Sequence, residues 1–199
     1  MIKAAILDYG AGNLHSLAKA VRLAGIEVVI TTDAGTALNS DALILPGVGA
    51  FGSAAAALAP QRDAIRYALA SGLPCLGICL GMQLLFDTSE EGSGNGLGII
   101  SGSVRRLKAS RIPQIGWNSL EQTDDELIRS SGLDTAYFAN SYVCEPRNTA
   151  CITSWAVHES DRFPASVRVG RICGVQFHPE KSSTAGCEFI RAFFSGITR

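Results

Sequence analysis

Two short stretches of this chain carry residues suited to covalent chemistry. The first is Gly77-Ile78-Cys79-Leu80-Gly81, a cysteine between glycines. An apolar run over 74–78 precedes it and reads as a strand, and 80–86 reads as the opening of a helix. A strand that turns sharply into a helix projects the central side chain above the sheet edge. Small neighbours are required there because the backbone passes close to adjacent elements. The positive end of the helix also favours thiolate, the nucleophilic form of cysteine. Alternatively, Cys79 is a small core residue, since free cysteines are often buried and inert. The second stretch, Gly174-Val175-Gln176-Phe177-His178-Pro179-Glu180, supplies what a nucleophile needs. His178 follows an apolar run over 172–177 and can take the thiol proton, then return it to a leaving amine. Glu180 can accept a hydrogen bond from the second ring nitrogen and fix the tautomer. A lone histidine after a strand reads as a surface residue. A cysteine elbow and a His-Pro-Glu cluster about a hundred residues later, each at a predicted strand end, read as a nucleophile and its base.

The elements that must position these residues follow from periodicity. The first half alternates apolar runs with helical patterns, as in parallel β-α-β units. Strands are expected at 3–7, 26–31, 41–45 and 74–78, and helices at 14–24, 50–58, 62–71 and 80–86. The second half is richer in strands, at 98–107, 136–144, 150–157, 164–169 and 172–177, with a short helix within 123–134 and a last helix over 185–194. Residues 87–96 read as a surface loop, and no repeat or linker divides the chain, so residues 1–199 are read as one domain.

Composition narrows the class of function. The chain has 199 residues, 47% hydrophobic and 18% charged, which suits a compact enzyme rather than a disordered segment. Its net charge of −1 gives no electrostatic footprint for nucleic acid or an anionic membrane. The apolar-rich run 73–86 is shorter than the roughly 20 residues that span a bilayer. Asp8 interrupts the first apolar run, so no signal peptide is read and a cytoplasmic location is expected. The six cysteines show neither C-x-x-C nor zinc-finger spacing. Cys75, Cys144, Cys151 and Cys173 are expected as core residues of strands and Cys187 as part of a helix. His15 and His158 lack a second ligand at useful spacing, so no metal is expected.

A dinucleotide-binding module is the main rival. Gly47-Val48-Gly49-Ala50-Phe51-Gly52 matches G-x-G-x-x-G between a strand and a helix, but 67–80 holds no acidic residue to bind a ribose. Gly10-Ala11-Gly12-Asn13-Leu14-His15 has Asp33 at a suitable distance, yet His15 replaces the third glycine. This reading also leaves Cys79, His178 and Glu180 without roles.

GICLGMQLL (77–85) and GVQFHPEKS (174–182) together resemble the triad, or class I, glutamine amidotransferases. LDYGAGNLHS (7–16), LPGVGAFGSA (45–54), GWN (116–118) and FHPEKS (177–182) are similar to the glutaminase subunits of imidazole glycerol phosphate synthase. The resemblance spans 2–190. It implies a three-layer α/β fold with a central, mostly parallel sheet, a nucleophile elbow and a strand-rich C-terminal half. It implies hydrolysis of L-glutamine to glutamate and ammonia by Cys79, His178 and Glu180, without a cofactor. The oxyanion of the tetrahedral intermediate would be met by Leu80 and by the turn of Gly47, Val48 and Gly49, whose glycines let a peptide rotate. Without the family, that stretch reads as a plain tight turn. Gln83 and Glu91 would hold the polar groups of glutamine, and backbone near Ser141 and Tyr142 its carboxylate. Read alone, Gln83 is a helix-surface amide and Glu91 a solvated loop charge.

By the same resemblance the partner is a (β/α)8 barrel cyclase that receives ammonia through a channel and forms imidazole glycerol phosphate and AICAR in histidine biosynthesis. Asn13, Trp117, Tyr137 and Lys181 are placed at that interface, where an aromatic can anchor and a lysine can pair with a carboxylate. The family pattern usually has histidine where this chain has Gln114 and Asn140. Both replacements keep hydrogen-bonding capacity and neither titrates. They bear on allosteric control and leave open a paralogous synthase, for example one amidating surface sugars.

Overall fold

The computed structural model describes residues 2–10 and 12–197. Ala11 lies outside the described residues. Its strands are β1 (Lys3–Leu7), β2 (Glu27–Thr31), β3 (Ala42–Leu45), β4 (Cys75–Ile78), β5 (Thr88–Ser89), β6 (Gly102–Arg106), β7 (Gln114–Ser119), β8 (Thr135–Asn140), β9 (Tyr142–Pro146), β10 (Ile152–His158), β11 (Asp161–Val169) and β12 (Ile172–Val175). Its helices are α1 (Leu14–Leu23), α2 (Ala34–Leu38), α3 (Phe51–Leu58), α4 (Arg62–Ala70), α5 (Leu80–Gln83), α6 (Glu126–Ser131) and α7 (Ser183–Ser195). No helix among the described residues is long and apolar enough to cross a membrane.

The central sheet has seven strands in the order β10-β11-β12-β4-β3-β1-β2. The five from β12 to β2 run parallel, and β11 and β10 close the edge antiparallel. Alternation along the strands divides the core. Ala4, Ile6, Ala42 and Ile44 face α1 and α7, whereas Ala5, Leu7, Leu43 and Leu45 face α2, α3 and α4. A sheet buried on both faces needs apolar residues at successive positions, and β1 and β3 show such runs. Phe163, Phe138, Phe177 and Phe189 pack edge to face in series, with centroids 6.0, 6.0 and 5.7 Å apart. That row ties β11, β8 and α7 together beneath the chain that leads to His178.

Register at the sheet centre positions the site. Leu45 of β3 lies opposite Gly77 of β4, and Ile78 lies opposite Val175 of β12. The chain after all three strands therefore emerges at one edge, bringing together the 46–49 turn, Cys79 and the segment before His178. Contact there is close enough to exclude side chains. A methyl group on Gly81 would sit 1.9 Å from the Leu45 carbonyl oxygen, and one on Gly47 would sit 1.9 Å from that of Ile78.

Several expectations need correction. The helix expected over 80–86 ends at Gln83, because the Leu84 and Leu85 carbonyls accept from Leu97, Ile99 and Ile100 instead of continuing a helix. The strand expected over 136–144 is two strands, β8 paired with β7 and β9 with β6, separated at Ser141. Residues 136–144 contain no glycine or proline, so the change of partner leaves no mark in the sequence. Strand β7 was not expected, since it inverts the usual pattern: Gln114 is buried, while Ile115 and Trp117 are exposed. Short α2, capped by Asp33 on the Thr36 amide, was also unforeseen, as was β5 within the 87–96 loop. Cys151 belongs to a 3-10 turn and is partly exposed rather than a strand core residue.

Replacing Gly81 with Ala is expected to destabilise the protein by about 3 kcal/mol or more, because a backbone carbonyl cannot yield as a flexible side chain would. Urea unfolding checks this; an unchanged midpoint would contradict the close approach of α5 to β3.

Candidate active site

Cys79 sits at the junction of β4 and α5 with φ 50° and ψ −104°. That left-handed conformation costs a non-glycine residue on the order of 1–3 kcal/mol and persists only where its surroundings enforce it. The enforcement is visible. The Cys79 amide donates to the Val175 carbonyl at 2.7 Å, and its carbonyl accepts from the Gln83 amide at 3.1 Å. The two glycines are what permit this turn: a methyl on Gly77 would lie 2.8 Å from the Gly81 carbonyl oxygen. Cys79 is 7% exposed, less open than a projecting elbow suggests. Its sulfur is reached through a cavity.

His178 lies at the end of the chain leaving β12 and is 1% exposed. Its amide donates to the Tyr137 carbonyl at 2.8 Å. Nδ1 meets Glu180 Oε1 at 2.9 Å, leaving Nε2 for the cavity that His178 lines with Cys79. Burial works against a charged imidazole here, but the Cys79 sulfur and the Glu180 carboxylate outweigh it and raise the His178 pKa to about 10. The arrangement therefore favours the imidazolium form of His178 beside the sulfur. Ser182 holds the turn: its Oγ donates to the His178 carbonyl at 2.7 Å and accepts from the Tyr137 amide at 2.9 Å. Gly186 of α7 abuts the Pro179 carbonyl from behind.

A cavity of about 250 Å³ gathers most of the predicted site residues: Gly47, Val48, Gly49, Cys79, Leu80, Gln83, Glu91, Ser141, Tyr142, His178 and Lys181. Glu180 stands behind His178 rather than in the lining. The 46–49 turn is tied to the segment after β1 by two bonds. The Tyr9 hydroxyl donates to the Pro46 carbonyl, and the Gly12 amide donates to that of Val48 at 3.0 Å. Gln83 is buried rather than a surface amide, and its Nε2 donates to the Tyr142 carbonyl at 3.1 Å. Glu91 is half-buried. One of its carboxylate oxygens accepts from the Phe51 amide at 2.8 Å and so caps α3.

Trp117, Tyr137 and Lys181 form a cluster at the surface. The two rings pack edge to face at 6.3 Å, and the Lys181 ammonium lies 5.6 Å from the centre of the Tyr137 ring. Trp117 is 57% exposed. Asn13 is not in this cluster's contacts; it is exposed at the start of α1, beside the Gly12 that holds Val48.

Three residues went unrecognised as site residues. Gln176, fully buried, donates from Nε2 to the Cys79 sulfur at 3.4 Å. Ser182 fixes the His178 turn. Their signal was their place within GVQFHPEKS, where only the histidine and glutamate attract chemical interest. Asn140 lines the cavity and donates to the Tyr142 carbonyl at 3.1 Å. Its Oδ1 and the Gln114 Oε1 opposite it are buried with no partner among the described residues.

Comparison with known proteins agrees with this geometry. The family model described as glutamine amidotransferase class-I matches residues 5–197. The "Imidazole glycerol phosphate synthase subunit HisH" of Gloeothece citriformis is 43% identical over 97% of this chain and 95% of its own length. The protein of the same name from Corynebacterium diphtheriae is 42% identical over 96% of this chain and 97% of its own. A solved structure described as a glutamine amidotransferase superposes with a TM-score of 0.77 at 20% identity, covering 100% of both chains. The structure of PurLQS from Thermotoga maritima gives 0.69 at 20% identity, covering 100% of this chain and 98% of that one. At that identity the two structures speak for the α/β fold alone, whereas the family match and the relatives at about 40% identity speak for descent. This chain belongs to the class-I glutamine amidotransferase family.

Proposed function

We propose that this chain is the glutaminase subunit of an imidazole glycerol phosphate synthase and that Cys79, His178 and Glu180 carry its chemistry. The observation that carries the reading is the meeting, in one cavity, of a cysteine in a strained backbone turn and a histidine fixed by a carboxylate. The Cys79 thiolate attacks the side-chain amide carbon of glutamine, and the carbonyl electrons move to oxygen. Leu80 and the turn of Gly47, Val48 and Gly49 supply the backbone donors for that oxyanion. The intermediate collapses as the carbon–nitrogen bond breaks, with the His178 imidazolium giving its proton to the departing amine. Ammonia leaves and a thioester remains. His178, now neutral, takes a proton from water as the water attacks the thioester; glutamate departs and the thiolate–imidazolium pair is restored.

Gln83 and Glu91 hold the polar groups of the substrate, with Glu91 attracting the ammonium, and backbone at Ser141 and Tyr142 receives the carboxylate. Support for this comes from their common cavity and from Glu91 having one oxygen engaged on α3 while it lines that space. Trp117, Tyr137 and Lys181 face a (β/α)8 barrel cyclase subunit, with Asn13 beside them on the same partner. The names of the relatives support a synthase partner, and the exposed aromatic cluster next to the cavity supports its position. Within this reading, the 46–49 turn responds to the partner through the bonds from Tyr9 and Gly12.

Cys79→Ala is expected to abolish glutamine hydrolysis with little change in unfolding midpoint, and His178→Ala to lose roughly three orders of magnitude in kcat. Glu180→Gln should lose less, about one to two orders, and should show a second effect. The carboxylate raises the His178 pKa, so neutralising it lowers that pKa. The alkaline limb of the rate profile should then move to lower pH, because deprotonated His178 has no proton to give the leaving amine. Hydrolysis at the wild-type rate by Cys79→Ala, or a limb that stays in place, would contradict these roles.

Glutamine hydrolysis is also expected to rise stepwise when a barrel cyclase, and then its nucleotide substrate, is added. Steady-state ammonia release measured alone, with the cyclase, and with both separates the outcomes. Activation by a different barrel protein only would assign the chain to a paralogous synthase, and full activity without a partner would remove the coupling.

A further inference from the structure

Beyond the triad, two polar groups stand near the sulfur of Cys79: the Ala139 carbonyl oxygen, an acceptor at 4.0 Å, and the nearer Gln176 amide. The Gln176 amide is completely buried, and its Nε2 lies 3.4 Å from Cys79 Sγ. Its Oε1 accepts from Gln83 Nε2 at 3.3 Å, and that same Gln83 nitrogen donates to the Tyr142 carbonyl at 3.1 Å. A side-chain amide has a donor end and an acceptor end of nearly equal shape, so its direction is decided by its partners. Here a backbone carbonyl decides it. The Tyr142 oxygen can only accept, so the Gln83 end facing it must be the NH2 group. That NH2 also faces Gln176, whose near end must then be the carbonyl. The remaining end of Gln176, which is NH2, is left facing the sulfur. Turning Gln83 over would set two acceptors against each other at the Tyr142 carbonyl, and turning Gln176 over would set two NH2 groups against each other.

We propose that Gln176 is a direct hydrogen-bond donor to the nucleophile, held in that polarity by the Tyr142 carbonyl through Gln83, and that it stabilises the thiolate form of Cys79. The proposal rests on the glutaminase reading above and adds to it a contact with the reacting atom. A donor to sulfur favours the anion over the thiol, as hydrogen bonds to any charged form do. Being an amide, it does not titrate, so this stabilisation persists at pH values where the imidazolium is lost. The other ionisable groups around the sulfur act differently. His178, backed by Glu180, provides the cation on one side, while the phenol of Tyr9 and the thiol of Cys144 are buried and held neutral by that burial. Glu91 and Lys181 line the same cavity with opposite charges. Among these neighbours, Gln176 is the uncharged group whose nitrogen lies within hydrogen-bonding distance of the sulfur as a donor. The relay has a second consequence. The carbonyl that orients it belongs to Tyr142, the residue whose backbone is proposed to receive the substrate, so a displacement of 141–142 would disturb both substrate and nucleophile.

The test uses the full chain and follows alkylation of Cys79 by iodoacetamide against pH, read by peptide mass. Gln176→Met keeps the length of the side chain and removes the donor. It is expected to raise the apparent pKa of Cys79 alkylation by about one unit, so that the reaction is about tenfold slower below that pKa. In glutamine hydrolysis it should lower kcat about tenfold or more with KM changed less than about threefold. Gln176→Glu keeps the shape and turns an acceptor toward the sulfur; it should shift the profile further in the same direction, and it carries the test if thermal melting shows the Met variant unfolded. Alkylation profiles that superimpose on the wild type, whatever happens to kcat, would overturn the assignment and leave Gln176 a packing residue. The two readings fail separately. Wild-type Cys79 that glutamine does not protect would overturn the glutaminase reading itself, whereas protected wild type with superimposable variants would overturn only the role of Gln176.

Discussion

Parallel pairing of β4 between β3 and β12 is the constraint on which the site depends. With Leu45 opposite Gly77 and Ile78 opposite Val175, three segments distant in sequence leave the sheet side by side. Parallel neighbours share a direction, so their C-terminal ends share an edge, which is where open α/β sheets place their functional loops. The bond from the Cys79 amide to the Val175 carbonyl extends that pairing one residue past the strand. It fixes Cys79 to the strand that leads to His178. A slip of one residue would turn every side chain of β4 to the opposite face and part the sulfur from His178.

Close packing turns this register into strain. Glycines at 47, 77 and 81 let the chain pass against the backbone of neighbouring elements, and the space they leave is too small for any side chain. Cys79 is thereby held in a left-handed conformation that an unconstrained cysteine would leave. The energy for that comes from the core on both sides of the sheet, where apolar faces of β1 and β3 are covered by helices. Function and folding meet at these few residues, since the same contacts that hold the turn also aim the sulfur.

Around the sulfur the polar groups are ordered rather than merely present. Glu180 fixes one nitrogen of His178, Ser182 fixes the backbone of its turn, and the Gln83–Gln176 pair runs from a backbone carbonyl to the Cys79 sulfur. Each of these is buried, so each interaction is stronger than it would be in water and each unmade bond more costly. The 46–49 turn is different. Its ties are two hydrogen bonds from the chain after β1, and Val48 is 42% exposed. The half of the site that holds Cys79, His178 and Glu180 is buried, while the turn proposed to meet the oxyanion is tethered by fewer contacts and lies nearer the surface.

How much of this was legible beforehand depended on whether the information was local. The Gly-x-Cys-x-Gly turn, the His-Pro-Glu cluster and the alternation of strands and helices in the first half are written in adjacent residues, because backbone sterics and one-face burial act over a few positions. They determined the fold class and pointed to Cys79 and His178 as the proposed nucleophile and base. Strand β7 was invisible because it buries Gln114 and exposes Ile115 and Trp117, the reverse of the pattern that marks a half-buried strand. The division of 136–144 into β8 and β9 was invisible because a run without glycine or proline does not record which neighbour each part pairs with. Asn140 could be noticed as an unusual residue, but its unpartnered oxygen in the cavity could not. Gln176 reads in sequence as one more residue of an apolar strand end; only the tertiary structure sets it between Gln83 and Cys79. The sequence by itself determined which residues are chemically able. The register of three parallel strands decided which of them meet, since that register arises from packing spread over the whole sheet and no single segment contains it.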